Sequence, residues 1–153
     1  MAYPSDFKSA VENAAVLNLD LIRRYRESAH GVGNPAVGRL LQSVLDQKSS
    51  QADLLRTVVG SGDAGRDTPL PRETERNDPP PSPAPAAPAP GADPATDLLR
   101  MIRSEEEGLG ALFERLRQAA ADEENRERLH SLSETSRKIG EWARDHLELL
   151  SLY

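Results

Sequence analysis

Four segments of the chain carry apolar residues at alternating spacings of three and four, the mark of a helix with one buried face. In helix 1, expected from Ser5 to His30, the stripe runs Phe7, Val11, Ala14, Asn18, Leu21, Tyr25. In helix 2, from Pro35 to Gly60, it runs Val37, Leu41, Val44, Lys48, Gln51, Leu55, Val58. Helix 3 opens at Asp93-Pro94, fades in the run from Ala119 to Ala121, and carries Leu99, Ile102, Glu106, Leu109, Phe113, Leu116, Ala120. Helix 4 follows Asp122 and continues to the end with Leu129, Leu132, Ser136, Ile139, Ala143, His146, Leu150, Tyr153. The punctuation agrees with these bounds. Ser5, Asn34, Asp93 and Asp122 are N-cap residues, and Pro35 and Pro94 stand where a helix has no N–H to lose. Gly31 and Gly33 stop helix 1. Glu123 and Glu124 sit on the favourable side of the helix 4 dipole. No segment alternates with period two, so strands are not expected.

Ten of the twelve prolines fall between Pro69 and Pro94. Proline fixes φ and lacks the N–H, so this stretch is excluded from helix interiors and central strands and reads as an extended, polyproline-like spacer. It divides the chain into a helical hairpin over 1–60, a linker over 61–93 and a second hairpin over 94–153. Each helix is about 25 residues, roughly 37 Å long at 1.5 Å per residue. Short loops within each hairpin make its helices antiparallel. The linker is long enough to cross the whole bundle, which permits helices 2 and 3 to run the same way. The expected fold is therefore all-α, a four-helix bundle with one long crossover.

Composition narrows the function. The 19 Lys and Arg are outnumbered by 25 Asp and Glu, a net charge of -6. That balance argues against nucleic acid or an anionic membrane surface as partner. No apolar run approaches the roughly 18 residues of a membrane span. The opening MAYPSDFKSAVENAAV has neither the basic nor the apolar region of a secretory signal, so a cytoplasmic location is expected. With no cysteine, disulfides, thiolate metal sites and Cys nucleophiles are excluded.

The informative positions are those where a stripe turns polar. Asn18, Lys48 with Gln51, Glu106 and His146 all interrupt apolar faces at similar depth. A charge placed there has to be paired, coordinated or able to reach water, because burying it alone costs several kcal/mol. The alternative to a buried pair is that Lys48 snorkels out between helices and Glu106 faces solvent. A shared polar cluster is expected, with a Lys48–Glu106 ion pair at its centre and Asn18, Gln51 and His146 supplying hydrogen bonds. Leu17 is the alternative to Asn18 for the helix 1 register.

The helix endings QADLL and HLELL resemble those of ferritin- and rubrerythrin-like di-iron bundles, whose helices 1 and 3 each give a Glu and whose helices 2 and 4 each give Glu-x-x-His. The resemblance covers both hairpins and implies a ferritin-like bundle with a ligand set at Asn18, Lys48, Gln51, Glu106, Ala143 and His146. Only Glu106 and His146 keep a ligand side chain there. The expectation is a degenerate metal site with no cofactor, or iron on Glu106 and His146 if any metal is held. The string HSLSETSRKIG resembles the phosphotransfer pattern H-x-L-K-G-S-x-x-x-L-G, keeping His130, Leu132, Thr135, Ile139 and Gly140. Ser133 and Glu134 replace its Lys and Gly. Glu127 and His130 have ligand spacing but fall beside Leu129, off the core face.

Trp142, Leu147 and Leu149 widen the apolar face of helix 4 and offer either a dimer surface or a broader core. No phosphate loop, nucleophile elbow or triad is visible. The sequence thus points to a non-enzymatic binding or structural module, as a homodimer. The rivals are a metal-dependent, di-iron-like oxidoreductase or iron-binding protein, a helical adaptor or chaperone for an unknown protein, and a His-phosphotransfer bundle.

Overall fold

The computed structural model describes residues 7–65 and 93–152, which form α1 (Phe7–Ala29), α2 (Pro35–Gly60), α3 (Pro94–Ala119) and α4 (Glu123–Ser151). Ser5, Tyr153 and the Pro/Ala-rich residues 66–92 lie outside the described residues. Capping chemistry sets the helix starts. Asn34 Oδ1 accepts from the backbone N–H groups of Ala36 and Val37 at 2.9 and 3.3 Å. Asp93 accepts from Ala95 N at 3.3 Å and Asp122 from Glu124 N at 3.0 Å. Each cap satisfies a donor the first helical turn would otherwise leave unpaired.

The apolar members of all four stripes are buried as far as Ala143, and they meet in one core. Each fully buried Leu, Ile or Phe in it contributes about 1.5–3 kcal/mol. α1 packs against α2 and α3, and α4 packs against α2 and α3, so α1 and α4 face each other across one diagonal and α2 and α3 across the other. Cross-helix contacts give the directions. Arg24, late in α1, reaches Glu105 of α3 at 3.7 Å, while Phe7 sits at the end of α3. Gln51 of α2 bonds Ser136 of α4 at 2.9 Å, and Ser61 just past α2 meets Asn125 at the start of α4 at 2.7 Å. Both pairs are antiparallel, as are the two hairpins, so α2 and α3 run parallel. The last described residues after α2 lie beside the end of α3, and Asp93 stands at its beginning.

The residues after α2 belong to the bundle as well as to the spacer. The carboxylate of Asp63 accepts from Gly65 N at 2.7 Å, Ala121 N at 3.3 Å, Asp122 N at 3.0 Å and Asn125 Nδ2 at 3.1 Å. It thereby clasps the α3–α4 turn to the end of α2. Partial burial works to raise the Asp63 pKa, but the hydrogen bonds from Asn125, Asp122, Gly65 and Ala121 outweigh it and hold the pKa below the ordinary value. Gly65 has φ +81°, and a Cβ there would fall 2.3 Å from Phe7 Cβ. Only glycine takes that conformation in that space. The linker expected from Ser61 therefore starts only after this clasp.

α3 and α4 share the closest seam. Ser133 Oγ donates to the Gly110 carbonyl at 3.1 Å, and a Cβ on Gly110 would stand 3.6 Å from the Ser133 carbonyl. Gly110 thus lets the helices approach, while Gly108 faces open space.

Candidate functional site: an ion pair inside the bundle

Helical periodicity turns Lys48 of α2 and Glu106 of α3 toward the axis, although each is a charged residue within an apolar stripe. The Lys48 Nζ lies 3.0 Å from Glu106 Oε1 and 3.0 Å from Oε2, and both side chains are 0% exposed. The pair spans the α2/α3 diagonal, so it ties one hairpin to the other through the centre. From α1, the Tyr25 hydroxyl donates to Glu106 Oε2 at 2.7 Å. One carboxylate thus joins three helices. Burial pushes the Lys48 pKa down, and the Glu106 carboxylate works against that shift. Burial first, and then the Glu106 charge, push the Tyr25 phenol far above its ordinary value. Both effects favour the neutral phenol, the form that donates to Glu106.

Two further buried polar residues of the expected cluster, Asn18 and Gln51, make their hydrogen bonds to groups other than the charged atoms of this pair. Asn18, fully buried while Leu17 is 38% exposed, donates through Nδ2 to the Lys48 backbone carbonyl at 3.1 Å. Gln51 donates through Nε2 to the Leu132 carbonyl at 3.0 Å and to Ser136 Oγ at 2.9 Å, joining α2 to α4. The Asn18 and Gln51 amide oxygens are buried without a protein hydrogen-bond partner. Such an atom costs about 1–3 kcal/mol.

His146 departs from the expected cluster. Its Nδ1 is 3.0 Å from the Trp142 carbonyl one turn earlier, and the residue is half-buried. His146 keeps the alternation of three and four that the stripe follows through Ser136, Ile139 and Ala143, but its ring lies against its own helix near the end of α4. The hydrogen bond expected of His146 is made instead by Tyr25. Its hydroxyl was concealed by reading the residue as apolar; a phenol on a stripe that also faces a carboxylate is the signal that locates it.

The residues do not fit a di-iron centre. Of the six positions the resemblance implies, Lys48 brings a cation, Ala143 a methyl group, and Asn18 and Gln51 neutral amides whose N–H groups are committed elsewhere. Glu106 is engaged by Lys48 and Tyr25. Among the described residues, no group of three or more His, Cys, Asp or Glu is placed to hold a metal.

The outer positions are distributed as follows. His130 is exposed, with Nε2 3.7 Å from Glu134 Oε1. Glu127 is exposed beside it on α4. Trp142 and Leu147 are half-buried against the core, and the Lys138 ammonium stands 5.3 Å from the centre of the Trp142 ring. Leu149 is 52% exposed. Among the described residues no helix is long and apolar enough to cross a membrane. Comparison of the chain with protein-family models, curated proteins and solved structures finds no match.

Proposed function

We propose that this bundle is a non-catalytic structural or binding module, in which an internal ion pair occupies the place where bundles of similar architecture hold metal. The supporting observation is Lys48: its ammonium lies 3.0 Å from both oxygens of a fully buried carboxylate. A divalent cation on Glu106 would have to stand beside that ammonium in a low-dielectric interior, where like charges repel strongly. Hard and borderline metals also need several carboxylate or imidazole ligands. Glu106 supplies one, and His146 is held at the rim by the Trp142 carbonyl.

What the pair contributes is register. A buried ion pair gives little net stability against apolar residues of similar size, but a partner shifted by one turn would leave a bare charge in the core. The charges therefore disfavour sliding of α2 against α3, the two helices with no short loop to fix their relative height. A module serving as a rigid spacer or docking surface requires that definition.

Metal content after anaerobic loading with Fe(II), Mn(II) or Zn(II) and desalting tests the reading. The expected result is almost none. About one or two ions per chain, lost in Glu106→Ala and in His146→Ala, would instead establish a working metal centre built on the two retained ligands.

A further inference from the structure

We infer that α1 carries a self-complementary surface through which two copies of this chain associate about a two-fold axis. The reading is independent of what occupies the bundle centre. α1 buries Val11, Ala14, Asn18, Leu21 and Tyr25 against α2 and α3, while α4 lies across the diagonal. Its opposite face carries large apolar residues in water, Val16 at 66% and Leu19 at 55% exposure. The only other described hydrophobics as exposed, Leu149 and Leu152, stand at the far end of α4.

The charges around Val16 and Leu19 select the occupant. Glu12, Val16, Leu19 and Arg23 follow one another at steps of four, three and four, the spacing of a helix–helix seam. A two-fold axis perpendicular to α1, at the level between residues 17 and 18, brings a second α1 alongside in the antiparallel sense. Val16 then meets Leu19 of the second copy. Glu12 meets Arg23 of the second copy, and Lys8 meets Glu27 of the second copy. Each contact occurs twice, as an isologous interface requires. Each polar contact joins opposite charges, in contrast to the parallel arrangement, which would set Glu12 on Glu12 and Arg23 on Arg23. Arg23 already bonds Asp20 and Glu27 of its own helix, and its side chain remains 62% exposed. A guanidinium has five N–H donors, enough to take a further carboxylate.

A single-helix seam is small beside a standard interface, so a dissociation constant in about the micromolar range is expected. Sedimentation equilibrium of the full chain measures it directly. The wild type is expected to dimerise, Leu19→Lys to be monomeric over the same concentrations, and both to have the same helical circular dichroism. Glu12→Arg and Arg23→Glu should each weaken the dimer about tenfold or more, and combining them should restore it, since the swapped charges face each other again. A monomeric wild type at high concentration would overturn the proposal. So would a dimer unaffected by Leu19→Lys, which would place the contact elsewhere, for instance at the Leu149 end of α4. Weakening by both single charge reversals without recovery in the double variant would overturn the antiparallel register.

Discussion

A lysine inside a helical bundle is tolerable only with its partner, so the consequence of removing it depends on what else is removed. Lys48→Met leaves the Glu106 carboxylate buried with the Tyr25 hydroxyl as its remaining side-chain partner. The expected loss is about 3–5 kcal/mol at neutral pH. Replacing the whole set, Lys48→Met with Glu106→Leu and Tyr25→Phe, removes every charge and the unpaired phenol together. That triple variant should recover to within about 1–2 kcal/mol of the wild type or exceed it. Urea denaturation of both variants gives the comparison. A Lys48→Met protein as stable as the wild type would show that the pair carries no structural weight.

Tyr25 makes a second statement at this scale. Its phenol is pushed far above the ordinary value of 10. A group whose pKa is raised by folding stabilises the folded state below its unfolded pKa, and that contribution is lost as pH rises beyond it. Alkaline titration followed at 295 nm should therefore give the same native-state curve for wild type and Tyr25→Phe. The extra phenolate of the wild type should appear only with loss of helical signal, at a pH above about 10.

These residues also show how far pattern reading carries. Lys48 and Glu106 were conspicuous because a charge in an apolar stripe has few places to go. Asn18 could be chosen over Leu17 only in three dimensions, since neighbouring positions on one helix differ by 100° and either register buries Val11 and Leu21. His146 was misplaced although it keeps the alternation of three and four, because its ring is taken by the Trp142 carbonyl of its own helix. The metal-site resemblance supplied the positions but not their chemistry, and the partner that completes the carboxylate was a tyrosine counted as core.

Between the helices, short segments carry more of the structure than their length implies. The helix starts were readable because Asn-Pro and Asp-Pro state both the cap and the first helical residue. The clasp at Asp63 was not, since three of its four donors, Ala121, Asp122 and Asn125, lie some sixty residues away. Gly65→Ala tests its geometry. The positive φ and the clash with Phe7 together should cost about 2–4 kcal/mol, whereas Gly108→Ala, facing open space on a helix, should stabilise by up to about 1 kcal/mol. Thermal unfolding of the two variants should thus shift in opposite directions.

The Asp63 carboxylate adds a pH dependence. Because its folded pKa is depressed, its contribution is present above the ordinary value near 3.8 and is lost as pH falls through the folded pKa. The difference in melting temperature between wild type and Asp63→Asn should hold steady from neutral pH down to about 5 and then shrink below about 4. A difference that persists unchanged to pH 2 would mean that the charge is not what clasps the turn.

At the scale of the molecule, one topological fact governs what the spacer must do. α2 ends beside the end of α3, so the connection has to return the full length of that helix, 26 residues or about 39 Å. An extended chain gains at most about 3.3–3.6 Å per residue, so roughly a dozen residues is the least that closes the bundle. The segment between Gly65 and Asp93 is more than twice that. Deleting residues 75–86 leaves about fifteen, still enough to span, and the shorter loop changes the closure entropy by only about 0.5 kcal/mol in favour of folding. That variant should remain folded, with a melting temperature at or slightly above the wild type. Deleting residues 70–89 leaves about seven, which reach roughly 25 Å and cannot join α2 to α3 within one chain. The second deletion should therefore unfold, or exchange hairpins between chains into a dimer that survives Leu19→Lys, because its partners are held by the core and not by the α1 surface. In an up-down-up-down bundle the end of α2 and the start of α3 would be neighbours, and both deletions would be accepted equally. The difference between the two variants is consequently a direct reading of the parallel α2/α3 arrangement, on which the placement of Lys48 against Glu106 depends.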